Sequence, residues 1–141
     1  ENASYYAQAH TDLTEAEFIT AVLEESGCDL LLDVNNIYVN SINHRYDPVD
    51  FLQSLPLHNA RYIHIAGHYD EAEDLKVDTH GADVIDPVWQ LLDEAYRLVG
   101  PLPTLLERDF NLPPLEVLLQ EVQQVRDAQT RCPAAAEALR A

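Results

Sequence analysis

Basic residues are scarce in this chain: 8 Lys and Arg stand against 25 Asp and Glu, a formal net charge of −17. Such a balance repels phosphate backbones and supplies no counterion-release term, which argues against nucleic acid as a partner; metal ions and cationic partners are easier to accommodate. Cysteine is almost missing too. Cys28 and Cys132 stand far apart without a CxxC spacing, so neither a disulfide scaffold nor a thiolate zinc site is indicated. Cys28, at the mouth of an apolar run, reads as a buried small hydrophobe. No apolar stretch approaches the roughly 20 residues of a membrane span, and no basic segment followed by an apolar one opens the chain. A reducing cytoplasm is the expected setting. Internal repeats and Gly/Ser linkers are also absent, and with only four glycines and 47% apolar residues the 141 residues read as one domain.

What is there alternates between strand and helix signals. Thr14 followed by Glu17 forms a capping box, and Phe18, Val22 and Leu23 recur at helical spacing until Gly27. Cys28 to Val34 is a continuous apolar run that predicts a strand buried on both faces, ending in Asp33. Asn35 to Ser41 is polar and apolar by turns. Asp47-Pro48 opens a brief helix that Pro56 stops. Ala60 to Gly67 predicts a second strand with Tyr62, His64 and Ala66 on one face and Ile63 and Ile65 on the other. A loop of about 18 residues then carries many acids and two histidines, a length that is functional or disordered in most proteins. Asp86-Pro87 caps a helix ending at Gly100, Pro103 to Glu107 is a third strand, and a last helix runs from about Pro113-Pro114 past Val125. The Ala-rich segment 132–141 is expected to fray.

Strand and helix in alternation with short connections imply parallel pairing and right-handed crossovers, an α/β fold. In a β/α barrel the active-site residues sit at the carboxyl ends of the strands and in the loops that follow. Asp33, His64 and Glu107 take such positions, Glu1 joins them if it closes a strand, and Asp78 and His80 reach in from the long loop. Carboxylates with imidazoles suit zinc, manganese and iron, and several anionic ligands together favour more than one cation. Each residue also has an ordinary reading. Asp33 could be a helix N-cap, His64 a hydrogen-bonded core residue, and Glu107 the ion-pair partner of Arg61 or Arg108.

The spacing of Glu1, Asp33 with position 36, His64, Asp78-Thr79-His80 and Glu107 resembles the second half of the trinuclear metal site in the xylose-isomerase-like TIM-barrel superfamily, as in endonuclease IV. The endonuclease pattern has histidine three residues after the first aspartate; this chain has Asn36. The words Glu1-Asn2-Ala3-Ser4-Tyr5, Asp33-Val34-Asn35-Asn36-Ile37-Tyr38, Asn43-His44, His64-Ile65-Ala66-Gly67-His68, Asp78-Thr79-His80-Gly81 and Leu106-Glu107-Arg108-Asp109 resemble another branch. That branch is the multinuclear non-haem iron-dependent oxidative enzymes, a bacterial family that includes the oxidase of methanobactin biosynthesis. The resemblance runs from Glu1 to about Glu121.

The resemblance implies the C-terminal portion of a TIM (β/α)8 barrel, about three strands with their helices, as a single partial domain over 1–141 with the N-terminal half absent. It makes Glu1, Asp33, Asn36, His64, Asp78, His80 and Glu107 metal ligands, His44 and His68 catalytic or substrate-side groups, and Asn35 a support. The implied cofactor is iron, two or three ions in the full-length protein, with zinc or manganese as alternatives. The implied chemistry is dioxygen-dependent oxidation of cysteines in a ribosomally made precursor peptide, often with a small peptide-presenting partner protein. Two further family histidines lie in the first half of the barrel, and Glu1 would be displaced without its strand, so the 141 residues alone are expected to bind metal weakly. Their open sheet edges would need cover from a second copy or from the missing half. A zinc hydrolase or endonuclease, and a non-catalytic structural or binding module, are the competing readings.

Overall fold

Thr14 starts the first helix as the capping box requires: its hydroxyl accepts from the Glu17 N–H, and the Glu17 carboxylate accepts from the Thr14 N–H. The computed structural model describes residues 1–7 and 12–132. From Thr14 the chain runs through α1 (Glu15–Ser26), β1 (Leu30–Asp33), α2 (Val34–His44), α3 (Pro48–Ser54), β2 (Ala60–Ala66), β3 (Tyr69–Ala72), β4 (Leu75–Val77), α4 (Asp86–Val99), β5 (Thr104–Glu107) and α5 (Leu115–Arg131). The segment expected to fray lies outside the described residues, apart from Cys132.

β1, β2 and β5 pair in that order as one parallel sheet, each crossover carrying helix. The result is a mixed α/β unit that fits part of a TIM-barrel-like fold; three strands leave it open. Register decides the faces. Asp33 lies opposite His64, His64 opposite Leu105, and Ala66 opposite Glu107, so these side chains share one face of the sheet. Leu32, Ile63 and Ile65 point the other way and are fully buried, in one core with Val88, Leu92, Ala95 and Tyr96 of α4 and Val125 and Ala128 of α5. On the first face Tyr62 and Leu105 remain 37% and 42% exposed, which leaves it half bare.

Several expectations are corrected. The segment after Asp33 that reads as polar and apolar by turns forms α2, which is buried almost all round, Asn35, Asn36 and Asn40 included. The long loop is ordered by a β3–β4 hairpin, anchored where Lys76 donates to Asp70 and to the Ala72 carbonyl and where Asn43 of α2 bonds both backbone groups of Lys76. Cys28 is exposed, because β1 begins only at Leu30 and the thiol sits beside the Ser26 hydroxyl. α1 packs through Leu23 with Ala16 and Ile19, whereas Phe18 and Val22 face outward. Asp86 lies in the first turn of α4 behind an Ile85 cap that offers no side-chain bond. Arg108 is committed elsewhere, to Asp83 at 2.7 Å and Glu121 at 3.0 Å, and Glu121 also accepts from the Val84 N–H.

That clamp ties the loop after His80 to α5, and Gly67 lets the same loop lie against the end of β2. A Cβ on Gly67 would fall on the Ala82 carbonyl, which is backbone and cannot swing aside. Gly67→Ala is therefore expected to lose about 1–3 kcal/mol, the usual cost of overpacking, in urea denaturation. An unchanged midpoint would show that the loop has room to move.

Candidate metal centre

Parallel pairing delivers donors to one end of the sheet. Asp33 closes β1 and Glu107 closes β5, while His64 projects beside them from β2. Two groups of donor atoms result: Glu1, Asp33 and His64 in one, and Asp33, His80 and Glu107 in the other, the atoms of each group lying within 4.8 Å of one another. Asp33 belongs to both. One of its oxygens, Oδ1, accepts from the Asn36 N–H at 2.7 Å and caps α2; the other, Oδ2, is buried without a hydrogen bond. The N-cap and ligand readings of this residue are thus compatible, one oxygen to each.

Other donor atoms are left in the same condition. Asn36 Oδ1 and His64 Nδ1 are buried without hydrogen bonds, and His80 Nε2 lies 2.8 Å from Asp78 Oδ1 but out of line for one. Buried polar atoms are almost always paired, so a cluster of unpaired lone-pair donors at one point fits cations that would complete them. His80 also has a left-handed backbone, φ 51°, held where its carbonyl accepts from the Asp109 N–H at 3.0 Å. A non-glycine residue there costs about 1–2 kcal/mol, strain of the kind found at functional sites.

Charge is crowded here. Burial pushes the Asp33 carboxyl up to about 8, opposed by the Asn36 N–H and reinforced by the charges of Glu1 and Asp78. The neighbouring Asp78 carboxylate raises His80 to about 9 against the effect of burial, with Glu107 and Asp33 adding to it. Burial alone would raise Asp78, but its contact with His80 and the Ser4 hydroxyl leave it below its ordinary value. Burial, then the Lys76 charge, lowers His68. Asn35 donates to Asp78 at 3.0 Å, leaving its carbonyl to accept from His68 Nδ1 at 2.8 Å.

The structure therefore brings together six of the nine residues singled out from sequence: Glu1, Asp33, His64 and Glu107, with Asp78 and His80 from the loop. Asn36 adjoins them, its Nδ2 donating to Glu1 Oε1 at 3.2 Å. Glu1 is not displaced. His68 stands one residue removed, behind Asn35, and His44 lies at the far end of α2, stacked on Tyr5 with its Nε2 2.9 Å from the Tyr5 carbonyl. Glu107 pairs with neither arginine; its Oε2 is 3.4 Å from His64 and 3.5 Å from His80. Missed from sequence were Ser4, Asn2 and Tyr6, whose hydroxyl accepts from the Asp78 N–H. Asn2 and Ser4 had as their only signal membership of a short word beside Glu1, and Tyr6 lies just past its end.

The profile of a family described as RiPP precursor modification enzyme MbnB/TglH/ChrH matches residues 1–130. Among curated proteins, one from Shewanella amazonensis is 64% identical over 129 residues, covering 92% of this chain and 46% of that protein. One from Alcanivorax borkumensis is 57% identical over 141 residues, covering 96% and 47%, and one from Pseudomonas aeruginosa PAO1 is 51% identical over 131 residues, covering 93% and 46%. All three are named UPF0276 proteins. The chain spans about half the length of the curated relatives it matches. Donor geometry and sequence agree, and the chain belongs to the MbnB/TglH/ChrH family of RiPP precursor modification enzymes.

Proposed function

We propose that the whole protein containing this chain is an iron- and dioxygen-dependent oxidase that modifies cysteine residues of a ribosomally made precursor peptide. The observation that carries this reading is Asp33, shared by two donor sets whose buried lone pairs lack protein partners. Glu1, Asp33 and His64 would hold one ion and Asp33, His80 and Glu107 a second, with Asn36 and Asp78 completing the shell. The match to peptide-modifying enzymes supports a peptide substrate. Bound iron would supply one-electron chemistry with dioxygen and deprotonate a substrate thiol.

The chain's own residues have separable tasks. Asp33 would serve both positions, and its cap on α2 fixes the orientation of its carboxylate. His68 and Asn35 orient Asp78, which in turn holds His80. Tyr62 and Leu105 form an apolar floor beside the donors, and the rest of a barrel laid over that face would exclude water from it. His44 is assigned to the peptide side through Tyr5, and a small protein presenting the peptide is the expected partner. No helix among the described residues is long and apolar enough to cross a membrane.

The test is anaerobic reconstitution of the full-length protein with ferrous iron, followed by dioxygen and a cysteine-containing precursor peptide. Two or more ions per chain and a mass change confined to cysteine are expected. Uptake of zinc alone with cleavage of abasic DNA would make it a hydrolase instead.

A further inference from the structure

His80 reaches the donor set from a loop, with its backbone in a region that side chains rarely adopt. Among the described residues three that are not glycine have positive φ, and two of them, His80 at 51° and Asn111 at 52°, belong to segments that bond to each other. The segment that follows Glu107 wraps the His80–Gly81 stretch residue by residue. The Asp109 N–H donates to the His80 carbonyl at 3.0 Å, and Asp109 Oδ2 lies 3.2 Å from His80 Nδ1. Asn111 Nδ2 donates to the Gly81 carbonyl at 3.0 Å. Between these contacts the Phe110 ring lies against Gly81, where a Cβ would stand 2.5 Å from ring carbon Cε2. Gly81 has no positive φ, so its missing side chain serves the ring.

Asn111 suits its place for two separate reasons. Asparagine tolerates the left-handed region better than most side chains, and its carboxamide carries the donor that the Gly81 carbonyl needs. Glycine would meet only the first requirement, and alanine neither. The carbonyls of His80 and Gly81 are thus pinned in succession. Because φ sets the direction in which a Cβ leaves the chain, pinning them keeps the imidazole aimed at Asp33 and Glu107. His80 belongs to that donor group alone, and no hydrogen bond or ion pair of Asp109 or Asn111 reaches Glu1, Asp33 or His64.

Building on the metal-centre reading above, we propose that Asn111 is a positioning residue for His80. By holding the Gly81 carbonyl it keeps His80 in its left-handed backbone, and so supports the Asp33–His80–Glu107 position without contact to the Glu1–Asp33–His64 position.

The experiment uses the full-length protein, titrated anaerobically with ferrous iron and crystallised for anomalous diffraction at the iron edge. Asn111 is exposed, so its replacement leaves the core untouched. Asn111→Gly keeps the left-handed backbone and removes the donor. It is expected to weaken the ion beside His80 about tenfold, the low end of what losing a ligand's support costs, because the Asp109 N–H still holds one carbonyl. The ion beside Glu1 stays bound as in the wild type. Asn111→Asp, which tolerates the same backbone but sets an acceptor against the Gly81 carbonyl, is expected to lose more at the same position. Retention of both ions in these variants, or equal loss of both, overturns the proposal alone. A wild-type protein that takes up a single ion overturns the metal-centre reading along with it.

Discussion

Asp33→Asn is expected to leave the whole protein with less than one metal ion per chain and, at pH 8, with a more stable metal-free fold than the wild type. The first half follows from sharing. Asp33 is the residue common to both donor sets, so losing its anionic oxygen removes a ligand from each. The helix survives, because the asparagine carbonyl still accepts the Asn36 N–H that Asp33 Oδ1 accepts now. The second half follows from the cost of burying a carboxylate. Burial holds the folded-state carboxyl at about 8 against an ordinary value of 3.8, so between these limits the unfolded chain is ionised while the folded chain keeps its proton. The unfolded state then binds fewer protons, and stability falls as pH rises from about 4 to 8. Asparagine cannot ionise and is free of that loss, which reaches a few kcal/mol at most. Urea denaturation in chelator at pH 5 and pH 8 measures it. A variant that binds two ions, or a wild-type apoprotein equally stable at both pH values, would refute the assignment.

Metal affinity should climb steeply with pH. At neutral pH the metal-free site holds a proton on Asp33, raised to about 8, and one on His80, raised to about 9, while Asp78 stays ionised. A cation binding between Asp33 and His80 must displace both. Apparent affinity is then expected to rise about a hundredfold per pH unit below 8, about tenfold between 8 and 9, and to level off above that. Calorimetry in buffers of different ionisation enthalpy should find about two protons released per ion at pH 7. A release near zero would mean that Asp33 and His80 are already deprotonated or are not ligands.

The donors themselves were legible in the sequence because parallel pairing is a short-range grammar. Apolar runs end in Asp33 and Glu107, His64 alternates with two isoleucines, and Asp78 and His80 share one short word. What stayed hidden depends on partners far along the chain. α2 reads as alternating because its asparagines look like surface residues; they are buried because Asn35 meets Asp78 and His68, Asn36 meets Asn2 and Asn40 meets Ala3 and Tyr5. Nothing in the helical period announces those bonds. The hairpin was hidden likewise, since its strand β3 is exposed throughout and its order comes from Lys76 and Asn43. Arg108 sits beside Glu107 in sequence, yet Asp83 and Glu121 draw it away, which frees Glu107 for the histidines.

The register that sets Glu107 opposite Ala66, next to His64, also orders events in time. Asp33 emerges before Glu107 in synthesis, several seconds apart at about 5–20 residues per second. Until β5 docks on β2, the nascent chain offers one donor set but not the other. If the two sets hold ions as proposed, the second position would form only once β5 has docked, so the order of synthesis would separate the two.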